Sequence, residues 1–396
     1  MSTTMDPLSQ LPLHVISQVL EHLDTIQQLG VIILSHRVFY SALKDSPQSI
    51  ASSILIRQVP RAVLPFSIAL LKSTQINKRD VNALTQVLSN LEAAILVSTD
   101  TIASLSKLSL SDYAFLSRAY AAVDSLRTSM FEQIVPLINE CGLNHSTTLS
   151  PDESFRLDRA FIRYQIMCNL FCYPPGVITS SHQDELQILR CRFFSVFSPW
   201  VNEQLVCVYA YLRRSVGDAF DQLGAHDVEW GQLPIQWGLD VNQTPRVQWF
   251  FKALSCPLDG SQDSTQSGPG RMWLQTHSEQ SFFQSVWGPI DDNLWDRAYV
   301  IWDSQNITDS RLREISERLR HQPTSFPAYK RTWSKGDIRQ SELQRADIYL
   351  VGGRGYWPQK SIDFTHVHGL TEEGKRWMTE KWRKESEYQK GKALGM

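Results

Sequence analysis

Three features of this 396-residue chain predict a mainly helical protein. Apolar residues recur at helical spacing through much of the first half. Several of these runs open on a proline or serine suited to a first helical turn. No internal repeat of solenoid or propeller length interrupts them, so leucine-rich-repeat, WD40 and kelch architectures are not supported. Composition then narrows what such a protein does. A net charge of −2 supplies no field for holding a polyanion, so no nucleic-acid partner is expected. No apolar run reaches the roughly 18 residues that span a bilayer, so no membrane association is expected either. Six cysteines at irregular spacing, with no secretory leader and no C-x-x-C pair, fit reduced thiols. The expectation is an intracellular protein of the cytoplasm, the nucleus or both.

The opening element, "LSQLPLHVISQVLEHLDTIQQLGVIILSHRVFYSAL" from Leu8 to Leu43, is the most patterned. Pro12 sits where a helix accepts proline, at its first turn. Val15, Ile16, Val19, Leu20 and Leu23 then fall on one helical side, with His14, Gln18, Glu21 and His22 elsewhere. Asp24 and Thr25 are suited to stop that helix and cap the next, which begins near Ile26 and is expected to be interrupted at Gly30. Its apolar set, Leu29, Ile32, Ile33, Phe39 and Leu43, is too broad for one stripe. Part of that surface needs a partner, in this chain or another.

Leu11-Pro12, Val19-Leu20, Leu23-Asp24, Leu29, Leu34-Ser35 and Arg37 resemble the F-box, the three-helix motif that docks on the Skp-family adaptor of SCF-type ubiquitin ligases. His14 stands where the family usually has Glu, and Phe39 where a tryptophan is common. "SPQSIASSILIRQVPRAVLPFSIALLKS" (46–73), "DRAFIRYQIMCNLF" (158–171), "FSPWVNEQLVCVYAYL" (197–212), "LWDRAYVIWDS" (294–304) and "GGRGYW" (352–357) are similar, in the same order, to a large group of filamentous-fungal F-box proteins. The resemblance implies an F-box over residues 6–57, with Leu11, Pro12, Ile16, Val19, Leu20, Leu23, Leu29, Ile33 and Phe39 binding the adaptor. It also implies a non-catalytic substrate receptor without cofactors, joined through the adaptor to a cullin and presenting an unknown protein for ubiquitin-dependent degradation.

A multi-helix scaffold is expected over 58–225. Val81, Leu84, Leu88, Leu91 and Ile95 mark one helix; Leu116, Tyr120, Val123, Met130, Ile134 and Leu137 mark another, which Pro136 should end. Ser150-Pro151-Asp152-Glu153 has the parts of a capping box, which starts a helix at Pro151 that runs to about Phe171. Helices resume after "YPPG" (173–176), before Arg190, and continue with one break at Ser198-Pro199 to about Leu223.

Residues 226–396 read as a less regular, mixed helix and loop region with short strands. All 12 tryptophans lie at or beyond Trp200. Residues 257–271 read as a mobile loop. Trp295, Tyr299 and Trp302 share a helical face, Leu312, Ile315 and Leu319 mark a helix beyond Asp309, and a short strand is expected at Asp347 to Val351. In the tail, Trp377, Met378 and Trp382 would dock a terminal helix on which Glu380 pairs with Lys384.

The aromatic set Trp295, Tyr299, Trp302, Tyr356 and Trp357 is the candidate substrate surface, since aromatics dominate recognition patches. Core packing is the alternative reading of the same rings. Enzyme signals are weak. Cys168 and Cys172, one turn apart, lack a second ligand pair and read as buried small hydrophobes; His366 and His368 would share a strand face near Asp363 without further ligands; "GGRGYW" lacks the ending of a phosphate loop. Two rivals stay open: a scaffold whose F-box-like helices are internal core, against which exposed Ile16, Leu20 and Leu29 would count, and an enzyme with an unrecognised site.

Overall fold

The computed structural model describes residues 7–77, 80–96, 101–172, 180–224, 227–229, 268–277, 289–304, 307–322, 335–356 and 364–393. Among them are 16 α-helices and one two-stranded sheet, so the chain is mainly α. It forms two compact units, residues 1–210 with 249–324, and residues 211–248 with 325–396. These are interleaved and do not follow the consecutive division at 57 and 225 expected from the sequence.

In the first unit, α1 (Leu13–Glu21), α2 (Ile26–Ser35), α3 (Arg37–Asp45) and α4 (Pro47–Gln58) are short and closely connected. Thr25 caps α2 through a capping box with Gln28, and Gly30 lies within the helix without interrupting it. α5 (Leu64–Thr74) is buried nearly all round, because α6 (Val81–Leu96), α8 (Leu110–Glu140) and α9 (Pro151–Phe171) all pack on it. That enclosure is why "LPFSIALL" is apolar on every side. α7 (Thr101–Leu105) precedes α8, and Tyr113 of α8 donates to the Leu105 carbonyl at 2.7 Å.

Pro136 does not end α8, which continues to Glu140. The ring removes one backbone donor, but Ile134, Leu137 and Ile138 are buried and their packing carries the helix past it. α9 has the expected bounds and its Ser150–Glu153 box. α10 (Ser180–Ser195) and α11 (Pro199–Gly224), of which residues 211–224 are counted with the second unit, break where Ser198-Pro199 predicts. Arg163 of α9, fully buried, donates to Asn202 Oδ1 at 2.8 Å and to the Val201 carbonyl at 3.1 Å, and lies 3.5 Å from the centre of the Phe197 ring.

α12 (Gly268–His277), α13 (Pro289–Asp296) and α14 (Asp309–His321) complete the described part of this unit. Residues 268–271, expected in a mobile loop, form the first turn of α12; 257–267 lie outside the described residues. A Cβ at Gly268 would stand 2.6 Å from the Ser304 backbone nitrogen, so only glycine allows this approach. Arg271 fastens the turn by donating to the Ile307 carbonyl and to Asp309 Oδ1, both at 2.7 Å. The expected helical face of Trp295, Tyr299 and Trp302 does not form: α13 stops at Asp296, and Ala298 turns the chain at φ 50°.

In the second unit, α15 (Lys335–Leu350) occupies the expected strand at 347–350. Ser341, Arg345 and Ile348 are buried at spacings of four and three, a helical stripe that overrides the local β-branched signal. The strands are β1 (Arg354–Gly355) and β2 (Val367–His368), antiparallel, with Arg354 opposite His368. Gly355 has φ +111°, and a Cβ there would stand 2.1 Å from the His366 carbonyl oxygen. α16 (Glu372–Ala393) docks through Met378 and Trp382 around Val228, Ile348 and Val367, while Trp377 is exposed. Asp347 accepts from Lys381 Nζ at 2.6 Å and Trp382 Nε1 at 2.9 Å, and Glu380 pairs with Lys384 at 3.2 Å.

Candidate docking surface

The N-terminal helices have an inner and an outer side. α1 packs on α3 and α4, and α2 on α3 and α8. Ile16, Leu20, Ile26, Leu29, Ala42 and Leu43 are buried in these contacts. Polar links add to them. Arg57 donates to the Glu21 carbonyl at 2.6 Å, and Ser49 to Glu21 Oε1 at 2.9 Å. Buried Ser117 of α8 accepts from the Ile26 N–H at 3.3 Å and lies within donating distance of Gln27 and Gln58. α1–α3 are thus integrated with α4 and α8.

The nine residues implied to bind an adaptor therefore divide. Leu11, Pro12 and Val19 are exposed; Leu23, Ile33 and Phe39 are half-buried; Ile16, Leu20 and Leu29 are buried. The last three cannot touch a partner while this packing holds, because α3, α4 and α8 cover them, so their assignment to the docking face is corrected. The outer side carries residues not selected from the sequence: Leu13, Val31, Tyr40 and above all Leu34, at 87% exposure. Val31 and Leu34 are three apart on α2, hence on one side of it. The signal was available, since Leu34 belongs to the motif itself, but helical periodicity does not say which side of so broad an apolar set faces out.

No family model, curated protein or solved structure matches this chain.

The aromatic set also divides. Trp295 is half-buried, whereas Tyr299 and Trp302 are core residues. Trp302 Nε1 donates to the Arg297 carbonyl at 2.7 Å. Tyr299 donates to Glu203, which also accepts from Trp273 Nε1 at 2.8 Å. Burial, then the nearby Glu203 charge, pushes the Tyr299 hydroxyl well up, so it stays a donor. Neither ring is available to a substrate, and both are withdrawn from the candidate surface. Tyr356, in the second unit, is exposed and stacks on His366 with ring centres 5.3 Å apart; Trp357 lies outside the described residues.

The other candidates gain no catalytic geometry. Cys168 is half-buried and Cys172 is exposed at the end of α9, so burial does not account for Cys172 as expected. His366 lies in a 3-10 turn and His368 in β2, both exposed, rather than together on one strand. Among the described residues no group of three or more His, Cys, Asp or Glu side chains is placed to hold a metal ion. No described helix is long and apolar enough to cross a membrane.

Proposed function

We propose that this chain is a non-catalytic substrate receptor whose N-terminal helices dock a Skp-family adaptor, and through it a cullin, bringing an unknown protein to a ubiquitin-conjugating enzyme in the cytoplasm or nucleus. The supporting observation is that apolar side chains across the motif are left in solvent, with Leu11, Leu13, Val19, Val31, Leu34 and Tyr40 all exposed. Stable interfaces bury about 800 Å² per partner around a few apolar anchors, and such side chains are of the right kind. The receptor would act by proximity, raising the target's effective concentration, with transfer chemistry left to other subunits.

A second reading, a scaffold whose F-box-like helices are structural, is favoured by one specific observation: Ile16, Leu20 and Leu29 are all buried. Binding of the purified full chain to a purified fungal Skp-family adaptor separates the two. Val31→Asp with Leu34→Asp alters only exposed positions, so the double variant is expected to keep its fold and bind at least about tenfold more weakly. An intact chain that does not bind hands the case to the scaffold reading. Equal binding by the variant would move the interface off α2.

A further inference from the structure

The loop between α8 and α9 carries a histidine whose side chain is largely covered. The His145 side chain is 7% exposed and that of Glu153 is 2% exposed. Asn139, at the end of α8, fixes the loop by accepting from the His145 backbone N–H at 2.5 Å and donating to its carbonyl at 3.3 Å. The imidazole makes edge-to-face contacts with Phe131 of α8, centres 5.7 Å apart, and with Trp302, centres 5.2 Å apart.

Both ring nitrogens face acceptors. Nδ1 is 2.7 Å from the Ser146 carbonyl oxygen, and Nε2 is 2.8 Å from Glu153 Oε1. Glu153 is itself served by donors: Oε1 accepts the Asp303 N–H at 2.8 Å and Oε2 the Ser150 N–H at 2.9 Å. Donors on both oxygens favour the ionised carboxylate, which can only accept. A neutral imidazole has a single N–H, so one of its two short contacts would set lone pair against lone pair. The imidazolium alone satisfies both.

We propose that His145 is held as the doubly protonated imidazolium and serves as a pH-sensitive clasp, fastening the 301–304 segment to the start of α9 and loosening it as pH rises. The segment depends on this corner. Ser150 Oγ donates to Asp303 Oδ2 at 2.6 Å, Arg156 Nε donates to the Ile301 carbonyl at 2.6 Å, and Arg156 also pairs with Asp303. The charged groups facing the ring are Glu153 of α9 and Asp303 of the segment, with Arg156 of α9 balancing Asp303; α8 presents Phe131.

For both groups, hydrogen bonds and neighbouring charge act against burial and outweigh it. The hydrogen bond to Glu153 raises His145 more than burial lowers it, with the Ser146 carbonyl and the Asp303 charge adding to the rise. Burial would raise Glu153, but hydrogen bonds from His145 and the Asp303 and Ser150 backbones outweigh it and hold the carboxyl down to about 2. A raised histidine contributes fully below its unfolded value, roughly 6.5, and loses its contribution as pH climbs through the folded value. A lowered carboxyl contributes above its unfolded value, roughly 4.3, and fades as pH falls towards about 2. The clasp is tightest between those two unfolded values and opens on the alkaline side.

Imidazole nitrogen NMR of the intact chain tests this directly. Both His145 nitrogens should resonate as protonated at about pH 6.5, with a titration midpoint above the ordinary histidine range, and Glu153→Gln should bring that midpoint down. In parallel, the Tm advantage of the native chain over His145→Gln should shrink as pH rises from about 6 to about 8.5. A lone-pair signal from either nitrogen at about pH 6.5 or an ordinary midpoint would overturn the proposal, and so would a Tm difference that ignores pH. If His145→Gln fails to fold, the titration of the intact protein decides alone.

Discussion

The N-terminal helices and the 301–304 segment belong to one compact unit, yet different forces hold them. The first is seated mainly by aliphatic burial, with Ile16, Leu20 and Leu29 under α3, α4 and α8. The second is seated by a corner of charges and hydrogen bonds among Ser150, Glu153, Arg156, His145 and Asp303. Apolar burial is indifferent to protons, whereas the polar corner depends on two titrating groups. The lesson is that solution pH addresses one attachment and leaves the other alone.

The largest expected effect tests the aliphatic side. Leu20→Ala should cost about 2–5 kcal/mol, the range for a fully buried leucine, and its denaturant-measured cost should be the same at about pH 6 and about pH 8. A cost that changed with pH would break the contrast. Next come two of the capping boxes, one from the N-terminal helices and one from the polar corner. Thr25→Ala should cost about 1 kcal/mol, the usual worth of a cap, whereas Ser150→Ala should cost roughly 2 kcal/mol because its hydroxyl also donates to Asp303. Equal losses would mean that the Asp303 link is of little weight. Smallest is Val31→Asp with Leu34→Asp, expected to move stability by no more than about 0.5 kcal/mol per site. A larger drop would show that this outer side is already covered.

Much of the helical framework was legible in the sequence because its signals are local. The capping residues around Thr25 and Ser150, the proline at 199 and the stripe Leu312, Ile315, Leu319 each act within a turn or two. What escaped depends on distant partners. Pro136 stays helical because its neighbours are buried; the 347–350 strand is a helix because Ile348 joins Val228, Val367 and Met378; and α12 begins at Gly268 because Ser304 lies against it. The docking residues were half legible for a similar reason. Periodicity finds Ile16, Leu20 and Leu29 as apolar, but only α3, α4 and α8 determine that they point inward while Val31 and Leu34 point out. For the clasp, the capping box identifies Glu153 as a helix start; nothing local announces that its other donors include Asp303, 150 positions away.

Ser117 carries a further consequence. Its hydroxyl lies 2.8 Å from Gln27 Oε1 and 2.7 Å from Gln58 Oε1, but it has one proton to give. One proton cannot serve both glutamine oxygens at once, and Gln58 is tied to α8 a second way, donating from Nε2 to the Ser117 carbonyl at 3.1 Å. Removing either glutamine leaves the other with the proton full-time, which masks part of the loss. Removing both exposes it, so in a double-mutant cycle of denaturant stabilities the pair should be worse than the sum of its parts.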